Sequence, residues 1–190
     1  MSPSPEPAES QVLLVTPETW PYLRGTPRDA KLQAWLSEHG IEPKGVSVQD
    51  PVSIVTEPDG TQLIEYAEFL VNADGRRYID PDQPNWPAKA VRRVPLRTAP
   101  PSPKRADITT RALLQAIHDH RGRPVTPGTY RGALLGAWWT LCIVYPEKVV
   151  TAAYEREDDR GHLECGVSLR TSWLTDKGAA RLAELQGGEA

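Results

Sequence analysis

The chain has 190 residues and a mass of 21.0 kDa, room for one mid-sized domain or two small ones. With 22 Lys and Arg against 25 Asp and Glu, a formal net charge of -3 excludes a uniformly basic nucleic-acid coat, and 19 prolines argue against long uninterrupted elements. Two cysteines, Cys142 and Cys165, are too few for a secreted disulfide scaffold, and no charged leader precedes a cleavable apolar stretch, so the expected compartment is the cytoplasm.

In chain order, residues 1–10 alternate Pro3, Pro5 and Pro7 with small and acidic residues and are expected to form a disordered lead. Residues 11–97 are expected to form a first domain, a helix followed by a small antiparallel β-meander. Thr26-Pro27-Arg28-Asp29 has the capping hydroxyl, first-turn proline and returning carboxylate of a helix start, and Gly40 supplies a left-handed stop. Between them Leu32, Trp35 and Leu36 recur at helical spacing and face a core. Strands follow at Val52–Thr56, Leu63–Val71 and Tyr78–Ile79, punctuated by Asp59-Gly60 and Asp74-Gly75. Glu65 and Glu68 fall on opposite faces of a regular strand, which a bulge near Ala67 would repair. A strand over Ala90–Leu96 belongs at the sheet edge, because Pro95 cannot donate to a central ladder. In Gln83-Pro84-Asn85-Trp86-Pro87, Trp86 is expected to pack in a core, and is otherwise the best candidate among the tryptophans for an exposed anchor at a protein interface.

Residues 98–106, with Pro100, Pro101 and Pro103, read as a basic, proline-rich linker. Residues 107–188 are expected to form a second domain. Asp107 caps a helix lined by Leu113, Leu114 and Ile117, and a second helix starts at Thr126-Pro127 and carries Tyr130, Leu134, Ala137, Trp138 and Leu141. The apolar run from Ala133 to Tyr145 is too short to cross a bilayer and is read as core. Pro146 breaks the chain; Val149–Tyr154 and Leu163–Trp173 read as two strands of a hairpin around a charged turn, 155–161. Thr175 then caps a last helix that ends at Gly187-Gly188.

Helix, turn, helix, hairpin, helix is the element order of a winged helix-turn-helix module. The wording Ala112-Leu113-Leu114-Gln115-Ala116-Ile117, Pro124-Val125-Thr126-Pro127-Gly128 and Trp173-Leu174-Thr175-Asp176-Lys177-Gly178 resembles winged-helix transcriptional regulators over roughly residues 107–187. The resemblance implies a DNA-binding regulator with the helix from Thr126 as groove reader and 155–161 as the wing. In overall style the chain is similar to uncharacterised proteins of actinobacteria and their phages. The fold class expected is therefore α+β, with a helix and meander first and a winged-helix-like domain second.

Charge is the second strand of the argument. From Lys89 to Arg123 there are nine basic residues against two acidic ones. Arg92, Arg93, Arg97, Lys104, Arg105, Arg121 and Arg123, with Arg131 on the second helix, are the candidate phosphate contacts for double-stranded DNA. The alternative is a solvated charge run that pairs with the acidic hairpin or with Glu65 and Glu68. Gly128, Gly132 and Gly136 recur every four residues and mark a close approach by the first helix of the same domain, a partner subunit in a homodimer, or a nucleic-acid backbone. His118, His120, His162 and Cys165 fit no zinc-ligand spacing, no nucleophile elbow or phosphate loop is present, and neither metal, cofactor nor catalysis is expected. The second function considered is a protein-binding adaptor, phage- or mobile-element-encoded, that engages a host protein.

Overall fold

Residues 10–121 and 136–187 are described by a computed structural model, and the chain divides into two units, Met1–Gly25 with Asp29–Pro101, and Thr26–Arg28 with Ser102–Ala190. The class is α+β with antiparallel sheets. Ser10, expected in the disordered lead, instead opens a strand, and the rest of that lead lies outside the described residues.

The first unit contains β1 (Ser10–Val15), α1 (Trp20–Leu23), most of α2 (Pro27–Glu38), β2 (Val52–Thr56), β3 (Gln62–Phe69), β4 (Ile79–Asp80), β5 (Gln83–Pro87) and β6 (Lys89–Pro95). Helix α2 starts with Pro27, holds no interior glycine, and buries Leu32, Trp35 and Leu36 along one stripe. It ends at Gly40, whose φ of 78° suits a residue without Cβ, while the Ile41 amide reaches back to the Leu36 carbonyl at 3.0 Å. The His39 ring is buried just beyond it. Its Nε2 accepts the Arg97 and Thr98 amides at 3.1 and 3.3 Å, so the proton sits on Nδ1 and is donated to the Trp35 carbonyl at 2.7 Å. Trp35 Nε1 donates to the Thr98 carbonyl at 3.0 Å, so the start of the proline-rich segment is tied down to α2.

The main sheet runs β1-β2-β3-β6, all antiparallel, with β6 at one edge as its proline requires. The bulge expected near Ala67 is absent. The β3–β6 register is unbroken from Leu63↔Pro95 to Phe69↔Lys89. Glu65 and Glu68 do lie on opposite faces, and each finds its own arginine there, so nothing needs repair: successive residues of a strand alternate faces, and Arg92 and Arg93 are successive. The meander is also revised, because β4 does not pair with β3 but joins β5 in a separate two-stranded hairpin inserted in the chain between β3 and β6.

The second unit holds a 3-10 turn at Arg105–Asp107, then α3 (Thr110–Arg121), α4 (Gly136–Val144), α5 (Glu147–Asp159), β7 (Leu163–Glu164), β8 (Trp173–Leu174) and α6 (Asp176–Gly187). Its core is built from Ile108, Leu113, Leu114, Ile117, Trp138, Val150, Ala153, Tyr154 and Leu182. Asp107 does not cap α3: its carboxylate accepts the Lys104 amide at 2.9 Å and closes the 3-10 turn, and Thr109 Oγ1 caps α3 through the Ala112 amide. The larger correction concerns 149–161. That stretch is not a strand and a charged turn but α5, begun by Pro146 at the N-cap, because Val150, Ala153, Tyr154 and Glu157 recur at helical spacing and all are buried. Burial of that stripe overrides the β-branched Val149-Val150-Thr151. Of the expected strand Leu163–Trp173 only the ends pair, Leu163↔Leu174 and Glu164↔Trp173. Part of the apolar run is not core either: on α4, Trp139 is 59% exposed and Ile143 is also exposed.

Candidate functional site

Of the residues expected to meet phosphates, Arg92 and Arg93 lie on β6 and are paired with carboxylates. On β6, Arg92 Nε bonds Glu68 at 3.0 Å, Arg93 bonds Glu65 at 2.7 Å with Glu57 at 3.8 Å, and Lys89 Nζ bonds Asp50 at 2.6 Å. Partial burial of the Asp50 carboxyl raises its pKa, but the hydrogen bonds from Lys89 and Ser47 outweigh that and leave it below the ordinary value. Of this basic run, Arg92 and Arg93 are the residues that pair with Glu68 and Glu65. Arg97, Lys104 and Arg105 are exposed. The Arg121 side chain, Arg123, Arg131, Gly128, Gly132 and the helix start at Thr126 lie outside the described residues. Gly136 is described: a Cβ there would sit 2.5 Å from Nδ1 of His120, so the close approach at this glycine comes from α3 of the same unit. His120 Nε2 in turn bonds Thr140 at 3.0 Å.

The β4–β5 hairpin presents the most exposed aromatic group of the first unit. Trp86 is 49% exposed and shares the hairpin and its approach with exposed Tyr78 and Ile79. Trp86 borders a cleft of about 290 Å³ with Gln49, Asp80, Gln83, Pro87 and Lys89. Among the described residues the side-chain amides of Gln49 and Gln83 and the Trp86 indole make no protein hydrogen bond. The Asp80 carboxylate accepts the Asp82 amide at 2.9 Å, which makes Asp80-Pro81-Asp82 a closed surface turn.

In the second unit the chemistry centres on Glu157, a residue the sequence reading placed in a solvated turn. It is 0% exposed. Its Oε1 accepts from Arg156 Nε at 2.6 Å, Thr110 Oγ1 at 2.9 Å and Arg160 at 3.1 Å, and its Oε2 faces His162 Nδ1 at 2.8 Å. Burial raises the pKa of this carboxyl, but the hydrogen bonds from His162, Arg156 and Thr110, with the charge of Arg156, more than reverse that and hold it below the usual carboxylate range. Arg156 is itself anchored on the Arg105 and Ile108 carbonyls at 3.2 and 2.8 Å. Above this network lies an open cleft of about 480 Å³, lined by Thr110, Asp159, Arg160, His162, Lys177 and Arg181.

The phrase Leu174-Thr175-x-x-Gly178 has a local cause. The Thr175 hydroxyl donates to the Gly161 carbonyl at 2.8 Å and accepts the Gly178 amide at 3.0 Å, while the Thr175 amide bonds the His162 carbonyl at 3.1 Å. A Cβ on Gly178 would lie 2.1 Å from that same His162 oxygen. The glycine lets α6 approach the backbone that carries His162 to the cleft.

Both cysteines are free thiols, Cys142 half-buried and Cys165 exposed, and partial burial pushes the Cys142 thiol up. Among the described residues no three His, Cys, Asp or Glu side chains are grouped to hold a metal ion, and no helix is long and apolar enough to cross a membrane. No family model, curated protein or solved structure matches the chain.

Proposed function

We propose that the chain is a non-enzymatic binding protein that docks on another protein through the β4–β5 hairpin. The observation that carries this reading is Trp86, half in water on a two-stranded hairpin that has little core of its own. Trp86, Ile79 and Tyr78 are 49%, 56% and 37% exposed, so each forgoes roughly half of the about 1.5–3 kcal/mol that full burial of a large apolar side chain is worth, which a partner recovers. Asp80, Lys89 and the side-chain amides of Gln49 and Gln83 give the cleft beside Trp86 a polar rim of the kind that surrounds an interface anchor.

A DNA-binding regulator has less support. Arg92 and Arg93 have given their charge to Glu68 and Glu65, and α5 turns Glu147, Glu155, Asp158 and Asp159 to solvent, where a duplex would meet carboxylates. The stretch that the winged-helix likeness makes a hairpin strand and wing is helix α5 as far as Asp159, and a fold of that kind would serve protein contacts as well as DNA.

The test places a photo-crosslinking residue at Ile79 of the full chain, identifies the protein captured, and titrates that purified protein against wild type and Trp86→Ala. Loss of an aromatic anchor worth about 2 kcal/mol weakens binding by roughly thirtyfold. An unchanged affinity, or no adduct from the hairpin, refutes the reading.

A further inference from the structure

We propose that the second unit carries a binding site for a phosphate group, in the cleft between Thr110, Arg160, His162, Lys177 and Arg181. The site is independent of the docking reading. Three cationic side chains line the cleft against the single carboxylate of Asp159, and they come from two different elements, the C-terminal end of α5 and the first turns of α6, with the Thr110 hydroxyl supplied by α3.

Two of the cations are held in place before any ligand arrives. Arg160 is fixed by Glu157 at 3.1 Å and by Thr110 at 3.0 Å, both through Nη1, which leaves its Nε and Nη2 donors unspent among the described residues. Lys177 Nζ is anchored on the Arg160 carbonyl and keeps two further N–H groups. Glu157 does not cancel Arg160, because Arg156 shares the same carboxylate oxygen. Arg181 reaches the cleft from one helical turn beyond Lys177, its Nη1 bonded to Glu184 at 2.9 Å.

His162 is the independent pointer to a ligand. Its side chain is nine-tenths buried, its Nδ1 is committed to Glu157, and its Nε2 has no protein partner among the described residues although the ring lines the cleft, so Nε2 accepts from the hydroxyl of a hydrogen phosphate when the ring is neutral and donates to a phosphate oxygen as the imidazolium. Donors that converge from several directions suit a tetrahedral oxyanion with an acceptor on every side better than a planar carboxylate, and preorganised donors lose little entropy on binding.

The experiment titrates the full-length chain at low salt with inorganic phosphate, followed by calorimetry and by the amide resonances of α6. Wild type is compared with a Lys177→Gln/Arg181→Gln variant; both side chains lie outside the core, so the fold persists and is checked by its circular dichroism. Saturable binding that weakens at least tenfold in the double variant is the expected result. A short random DNA duplex, titrated at two salt concentrations, identifies the source of the phosphate. Binding that is tighter than free phosphate, steeply salt-dependent and lost in the variant assigns the site to a nucleic-acid backbone. Binding of inorganic phosphate with indifference to the duplex assigns it to a small phosphate ligand. Failure of both probes to saturate wild type, or equal binding by wild type and the double variant, overturns the proposal.

Discussion

Glu157→Gln removes one charge from a polar cluster built around a carboxylate that is 0% exposed. Glutamine keeps the volume and one acceptor oxygen, but its NH2 must replace either the oxygen that faces His162 or the one that collects Arg156, Thr110 and Arg160. Turned toward Arg156, Thr110 and Arg160 the NH2 meets donors, turned toward His162 it forces the ring to switch tautomer and accept at Nδ1, and in either orientation the nearly buried Arg156 guanidinium, 14% exposed, loses its counter-charge. Breaking a buried, hydrogen-bonded ion pair costs about 3 kcal/mol or more, a large share of the 5–15 kcal/mol that holds a domain together. The assay is native-state hydrogen exchange on peptides from α3 and α5, which reports the second unit alone. About 3 kcal/mol corresponds to roughly a hundredfold faster exchange at neutral pH. Acid supplies an internal control. An unperturbed glutamate titrates near 4.5 and the folded Glu157 titrates lower, so its contribution is complete above about pH 4.5 and disappears as pH falls through the folded value. The gap between wild type and Glu157→Gln must therefore shrink below pH 4.5. Equal exchange in the two proteins at pH 7, or a gap that does not change with acid, refutes the reasoning.

Three further substitutions probe the rest of the fold. Gly178→Ala puts a methyl group 2.1 Å from the His162 carbonyl oxygen, a backbone atom, and should cost about 2 kcal/mol in urea unfolding even though alanine is the better helix former; a neutral or stabilised variant contradicts the packing of α6. His39→Ala leaves the Arg97 and Thr98 amides without their acceptor and should lower first-unit stability by about 2 kcal/mol, seen as loss of exchange protection at those two amides. Arg93→Gln breaks a surface pair with Glu65 and should cost under about 1 kcal/mol in a urea titration and leave the salt dependence of any duplex binding unchanged; a flattened salt slope would return β6 to the list of phosphate contacts.

Where the chain is punctuated, its fold was legible. Pro27 and Gly40 bound α2, Asp59-Gly60 separates β2 from β3, and Pro95 puts β6 at an edge. Strand β5 was hidden because Pro84 and Pro87 lie inside it, and α5 because Val149-Val150-Thr151 is β-branched. Glu157 was missed for a related reason: four neighbouring acids look alike until the helical register is fixed, and only then does this one join Val150, Ala153 and Tyr154 on the buried stripe. That register was the available signal. The pairing of Arg92 and Arg93 with Glu68 and Glu65 was among the alternatives that charge alone left open, and strand register decided it. The cleft had no local signature, since Thr110, Arg160 and Arg181 are brought together by tertiary packing.

In the proposed function the β4–β5 hairpin is the contact surface. Hydrogen exchange on the free chain and on its complex with the captured protein tests that most directly. The amides of residues 78–87 should gain strong protection in the complex while those of α5 stay as they were; protection confined to other segments, with 78–87 exchanging as in the free chain, would contradict it.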